Sequence, residues 1–157
     1  MYTAFLNFKG RVLFEGHITV AAEDKGVLYI DCEKRFVKPA IKHLEKYRLK
    51  NPVQFDDVSE DLGVHAVLPY GTVGFGSLPY ETLRAAKSAV SKGSVLHDKR
   101  SMCLGARIIA PPDIESKLKE QADIDRVDER VYELSRWLMG CPEGYVFTMP
   151  LKALVTK

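Results

Sequence analysis

The chain is sparing with the residues that announce chemistry. It holds three cysteines and four histidines in 157 residues. Cys32, Cys103 and Cys141 stand far apart and are odd in number, which makes neither a disulfide framework nor a zinc pattern and points to a reducing compartment. No pair among them and His17, His43, His65 and His97 has the usual ligand spacing, so no metal site is expected. No apolar run approaches the roughly 20 residues that a membrane-spanning helix needs, and no charged leader or Arg/Ser-rich presequence opens the chain; a membrane partner is not expected. An excess of one charge is lacking too. Twenty-three Lys and Arg face twenty-one Asp and Glu, a net +2, so no global field invites nucleic acid. The glycines from Gly71 to Gly76 run G-x-x-G-x-G, without the order of a dinucleotide loop or a following Gly-Lys-Ser/Thr, and read as a connection. No repeat of fixed period is present.

With 46% hydrophobic residues the chain has enough to bury a core, and its length suits one domain, residues 1–157. Two alternating segments flank Lys9-Gly10, which predicts an antiparallel hairpin from Phe5 to Val20. Val12, Phe14, Gly16, Ile18 and Val20 share one face; Leu13, Glu15, His17 and Thr19 share the other. Further strands are expected at Val27 to Cys32, Pro52 to Phe55, Val64 to Pro69, Val95 to Asp98 and Leu104 to Ala110. A helix is expected where Phe36, Val37, Ala40, Ile41, Leu44 and Tyr47 recur at helical spacing, with Pro39 in its first turn. A second helix, capped by Ser77, should run to about Ser91 with Tyr80, Leu83, Ala86 and Val90 inward, and Asp113 should cap a short third. Ile124, Val127, Val131, Leu134 and Leu138 form a stripe that predicts one long helix, ended by Gly140 and Pro142. Strands and helices alternate without grouping, so the fold class is α+β: a mostly antiparallel sheet with helices on one face.

Several groupings are chemical candidates. Glu15 and His17, two apart on one strand face, suit an acid–base pair or a plain strand surface. Lys34, Arg35, Lys38, Lys42, Lys46, Arg48 and Lys50 crowd one helix against only Glu33 and Glu45, which suits an acidic partner or a solvated face. Cys103, with Arg100 and Arg107 near it in sequence, is the thiol whose pKa cations would lower; Cys32 reads as core, and Cys141 as exposed after its helix.

Three blocks carry a resemblance: Phe5-Leu6-Asn7-Phe8-Lys9-Gly10-Arg11-Val12-Leu13-Phe14, then Leu44 to Val53, then Ala66-Val67-Leu68-Pro69. Asp98-Lys99-Arg100 with Leu104-Gly105-Ala106-Arg107 is similar to a D-P-R…G-x-R segment, and Tyr132 with Gly140-Cys141-Pro142-Glu143-Gly144 to a Y…G-x-P-E-G segment. In this order they resemble the mitochondrial iron–sulfur cluster assembly factors related to bacterial YgfZ and to the folate-binding aminomethyltransferases. The resemblance implies the central portion of a GcvT/YgfZ-like fold, present as a partial chain without a leading segment and a C-terminal barrel. It implies an accessory role in [4Fe–4S] cluster assembly in the mitochondrial matrix, with A-type scaffold proteins as partners. Asn7, Arg11, Glu15, Arg100 and Arg107 are the cofactor-binding positions that it implies, tetrahydrofolate being the ligand of the relatives' pocket. No catalytic residue is expected, and no cofactor on this part of the chain. The family's K-G-C-Y-I-G-Q-E motif is absent, Lys99 stands where proline is usual, and Phe14-Glu15 leaves one carboxylate where the aminomethyltransferase has two. Met149-Pro150-Leu151-Lys152 resembles the family's L-P-L-E-S-N stretch without its asparagine. Two other readings are a folate-dependent one-carbon transferase fragment and a non-catalytic interaction module docking through the basic helix.

Overall fold

A computed structural model of the chain describes residues 1–69, 78–122, 124–141 and 152–156. In order, the elements are β1 (Tyr2–Leu6), β2 (Val12–Val20), β3 (Leu28–Cys32), α1 (Val37–Arg48), β4 (Gly63–Leu68), α2 (Tyr80–Ala89), β5 (Ser94–His97), β6 (Ala106–Ala110), α3 (Ile114–Ala122), β7 (Ile124–Val127), α4 (Glu129–Leu138) and β8 (Lys152–Thr156). They build two sheets. One is antiparallel in the order β1-β2-β3; the other runs β5-β6-β4-β8-β7, antiparallel except where β8 joins β4.

The small sheet follows from its two-residue period. The even positions of β2 turn Phe14 toward α1, where its ring stacks on Phe5 at 4.4 Å and meets His43 edge-on at 6.1 Å. The odd positions face the larger sheet. There Thr19 Oγ1 lies 2.6 Å from Ser94 Oγ, and Gly93 N donates to Glu23 at 2.9 Å. The small sheet is thus a layer between α1 and the five-stranded sheet.

The larger sheet buries both faces. Val67 of β4 and Ala106, Ile108 and Ala110 of β6 join Ala86, Ile114 and Leu118 of α2 and α3 in one core. Ala66 and Leu68 point the other way, against Leu104 and Tyr132 of α4. The α+β class and the antiparallel bias are as expected. The helices, however, lie on both faces of this sheet and not on one, because β4 and β6 are apolar at successive positions and need cover on each side.

Other sequence expectations are corrected. Pro52 to Phe55 is not a strand: Pro52 offers no N–H to a ladder, and Val53 is accounted for by Arg48, whose Nη1 donates to its carbonyl at 3.3 Å. The long helix from Ile124 to Leu138 is two elements. Ile124 to Val127 pairs antiparallel with β8, and Asp128 starts a new helix by accepting from Arg130 N at 2.9 Å. The apolar stripe then fails as an inward face: Leu134 and Leu138 are 47% and 59% exposed, whereas Tyr132, Ser135 and Arg136 are buried. Tyr80 also faces solvent, not the core. The loop from Gly71 to Gly76, the Ser77 cap and Pro142 lie outside the described residues.

One glycine is set by space and conformation together. Gly105 has φ +61°, and a Cβ there would sit 2.0 Å from the Val67 carbonyl oxygen. It lets the loop after β5 close, with Asp98 N donating to Gly105 O at 2.9 Å.

Candidate functional site

Where the two sheets meet, the chain buries charge. Cross-strand register sets Tyr2 of β1, His17 of β2 and Asp31 of β3 in one row. Opposite the row stand Asp98 and Arg100 from the loop after β5, Arg107 from β6 and Tyr132 from α4. His17, Asp98 and Arg107 are each no more than 3% exposed, and Asp31 is 6% exposed. Groups of this kind are tolerated in a core only when paired and hydrogen-bonded.

The pairing is close. Arg100 holds Asp98 with two prongs, Nε to Oδ1 at 2.9 Å and Nη2 to Oδ2 at 2.5 Å. Arg107 Nε donates to Asp31 Oδ2. Both guanidiniums converge on the Tyr132 phenol oxygen, Arg107 Nη1 at 2.9 Å and Arg100 Nη2 at 3.3 Å. His17 lies between the carboxylates, Nδ1 3.9 Å from Asp31 Oδ2 and Nε2 4.0 Å from Asp98 Oδ2. The Tyr2 ring covers Arg100, whose Cζ is 4.8 Å from the ring centroid. Two carboxylates and two guanidiniums balance, so the cluster is neutral when His17 is neutral. Burial pushes the Asp98 carboxyl up, but the Arg100 hydrogen bonds and charge outweigh it and hold the group below its ordinary value.

A cavity of about 400 Å³ opens beside the cluster, lined by Met1, Tyr2, His17, Leu96, His97, Asp98, Lys99 and Arg100. A smaller one, of about 150 Å³, lies between α1 and β3 and includes Cys32. The Cys32 thiol is pushed up to about 11, chiefly by burial and then by the charges of Asp31, Asp57 and Glu33. Among the described residues no three His, Cys, Asp or Glu come together as a metal centre.

Of the five positions that the resemblance singles out, the structure joins two. Arg100 and Arg107 share Tyr132. Asn7 and Arg11 sit in the β1–β2 turn, where Asn7 Oδ1 accepts from Lys9 N at 2.8 Å and Arg11 N at 3.0 Å. From Tyr2, which covers Arg100, to Asn7 is five residues along a strand, roughly 16 Å at about 3.3 Å each. Glu15 lies between, half-buried opposite Ala4. Both arginines are engaged with Asp98, Asp31 and Tyr132, while Asn7 and Arg11 lie in the turn at the far end of the strand. Glu15 and His17 do share a face, but the near neighbours of His17 are Asp31 and Asp98. Likewise the two arginines turn to carboxylates, and Cys103 has its amide tied to Ser101 Oγ at 3.3 Å. Asp31 and Tyr132 carry the cluster unforeseen, although a lone carboxylate inside the apolar run Leu28-Tyr29-Ile30-Asp31-Cys32 was the available signal.

No family model and no solved structure matches the chain. Curated proteins do. The chain is 26% identical over 92% of its length to the mitochondrial iron–sulfur cluster assembly factor IBA57 homologue of Dictyostelium discoideum, covering 39% of that protein. The proteins of the same name in Pyricularia oryzae and Cryptococcus neoformans are 27% and 24% identical, over 91% and 98% of the chain and 34% and 45% of their own lengths. The chain thus spans between a third and a half of the curated relatives it matches. Those relatives share one name and align along nearly all of this sequence, so the chain is similar over almost its whole length to part of the mitochondrial iron–sulfur cluster assembly factors.

Proposed function

We propose that the chain serves in mitochondrial iron–sulfur cluster assembly as an accessory factor and not as an enzyme. The observation that carries this reading is the match along nine-tenths of the chain to factors bearing that name. The buried cluster agrees with it: its strong charges are matched in pairs, which is the economy of a structural joint and not of a reaction centre. The partners are A-type scaffold proteins, and the chain carries neither tetrahydrofolate nor a metal ion of its own.

The test is replacement. In Dictyostelium cells depleted of the matched relative, this chain delivered to mitochondria should restore a [4Fe–4S] enzyme activity. Failure to restore it, with the chain present and folded, would count against the reading. The purified chain should show no aminomethyl transfer to tetrahydrofolate, and tetrahydrofolate should leave the fluorescence of Trp137 unchanged.

A further inference from the structure

His17 is placed so that one proton changes how many carboxylates it can serve. It is buried on β2, with Asp31 of β3 3.9 Å from Nδ1 and Asp98, after β5, 4.0 Å from Nε2. A neutral imidazole has one N–H and one lone pair, so it can donate to one of these carboxylates only. The imidazolium has two N–H groups and no lone pair, and can donate to both. At 3.9 and 4.0 Å neither contact is yet a hydrogen bond; each is roughly 1 Å too long. Asp31 has an acceptor to offer: its Oδ2 takes Arg107 Nε, whereas its buried Oδ1 takes no hydrogen bond from the described residues.

Burial opposes a charge on the ring, and so do Arg100 and Arg107. Both guanidiniums, however, are fastened to the two carboxylates and to Tyr132 of α4, and the ring nitrogens face the carboxylate ends of these pairs. The Tyr2 ring of β1 packs on the imidazole with centroids 5.1 Å apart. The adjoining cavity adds His97, Lys99 and Met1, whose amine donates to Ile18 O at 2.5 Å. Glu15 shares the strand face of His17.

We propose that His17 is a proton latch between the two sheets. On taking a proton it donates to Asp31 and Asp98 together, which ties the small sheet to the loop after β5 and closes the joint. On losing the proton it releases one of them, and the joint loosens at the end that carries the cavity. The other end, where Thr19 meets Ser94 and Glu23 accepts from Gly93 N, holds in either state. The sign of the effect follows. A proton held more firmly in the folded chain than in the unfolded one gives stabilisation that is full below the ordinary histidine value, about 6.5. That stabilisation is lost as pH rises through the higher folded value.

Urea denaturation of the parent and of His17→Gln, followed from pH 5.5 to pH 9, tests this, because comparing the two cancels the Met1 amine, His97 and every other group they share. The unfolding equilibrium constant of the parent, relative to that of the variant, should rise at least about tenfold across this range, the equivalent of one pH unit between folded and unfolded titrations. A constant ratio, or one that falls, overturns the latch. Where His17→Gln does not fold, NMR titration of the ring nitrogens in the labelled parent decides. A His17 that gains its proton above about pH 6.5 supports the latch, and one that stays neutral to lower pH overturns it. Asp98→Asn should move this titration to lower pH; an unmoved titration overturns the part given to Asp98.

Discussion

Asp98 is held by Arg100 more strongly as a carboxylate than as an acid, and this fixes the sign of its contribution to stability. A folded-state pKa below the unfolded one stabilises fully above the ordinary aspartate value, about 3.9, and that stabilisation is lost as pH falls through the lower folded value. Urea midpoints between pH 5 and pH 2 should therefore fall for the parent more steeply than for Asp98→Asn; parallel curves would show that the pair contributes nothing. Cys32 gives a second reading at the same scale. With its thiol pushed up to about 11, its thiolate fraction at neutral pH is lower by roughly 300-fold than that of a free cysteine near 8.5. Iodoacetamide at pH 7.5 should label the Cys103 site well before Cys32, measured by peptide mass spectrometry.

The element that departs most from its pattern is the segment from Ile124 to Leu138. Five apolar residues at helical spacing span a strand and a helix, and only the first is fully buried: Ile124 is 2% exposed in the core below α2 and α3. Ile124→Ala should cost about 2–5 kcal/mol as a cavity, whereas Leu138→Ala should change stability by less than about 0.5 kcal/mol. Asp128→Ala removes the cap that separates the two elements and should cost about 1 kcal/mol. Chemical denaturation of the three variants gives the ranking; a single continuous helix would make Leu138 as costly as Ile124.

For the whole molecule, the joint between the two sheets is polar at its centre. Arg107→Met should be severe, about 3–5 kcal/mol, because it leaves Asp31 charged and buried. Arg107→Met combined with Asp31→Leu removes both charges, and the double variant should melt higher than either single one. If instead the two losses add, the pair is not coupled and the sheets are held by other contacts, such as Thr19 with Ser94.

Much was legible in the sequence. The hairpin, the amphipathic α1 with Pro39 in its first turn, and the strands at β3, β4, β5 and β6 follow from periods of two and 3.6 and from local turn chemistry, which the chain specifies within a few residues. So does Asn7, whose turn needs no distant partner. The order of motif blocks determined the family resemblance. What only the tertiary structure decided is non-local. Ile124 became a strand because β8 lies beside it, not because of its own neighbours in sequence. Arg100, Arg107 and Asp98 are close in the chain, but Asp31 reaches Arg107 from 76 residues away and Tyr132 from 25. Buried charges must find their counter-charges wherever the sheets bring them, and no periodicity records that choice.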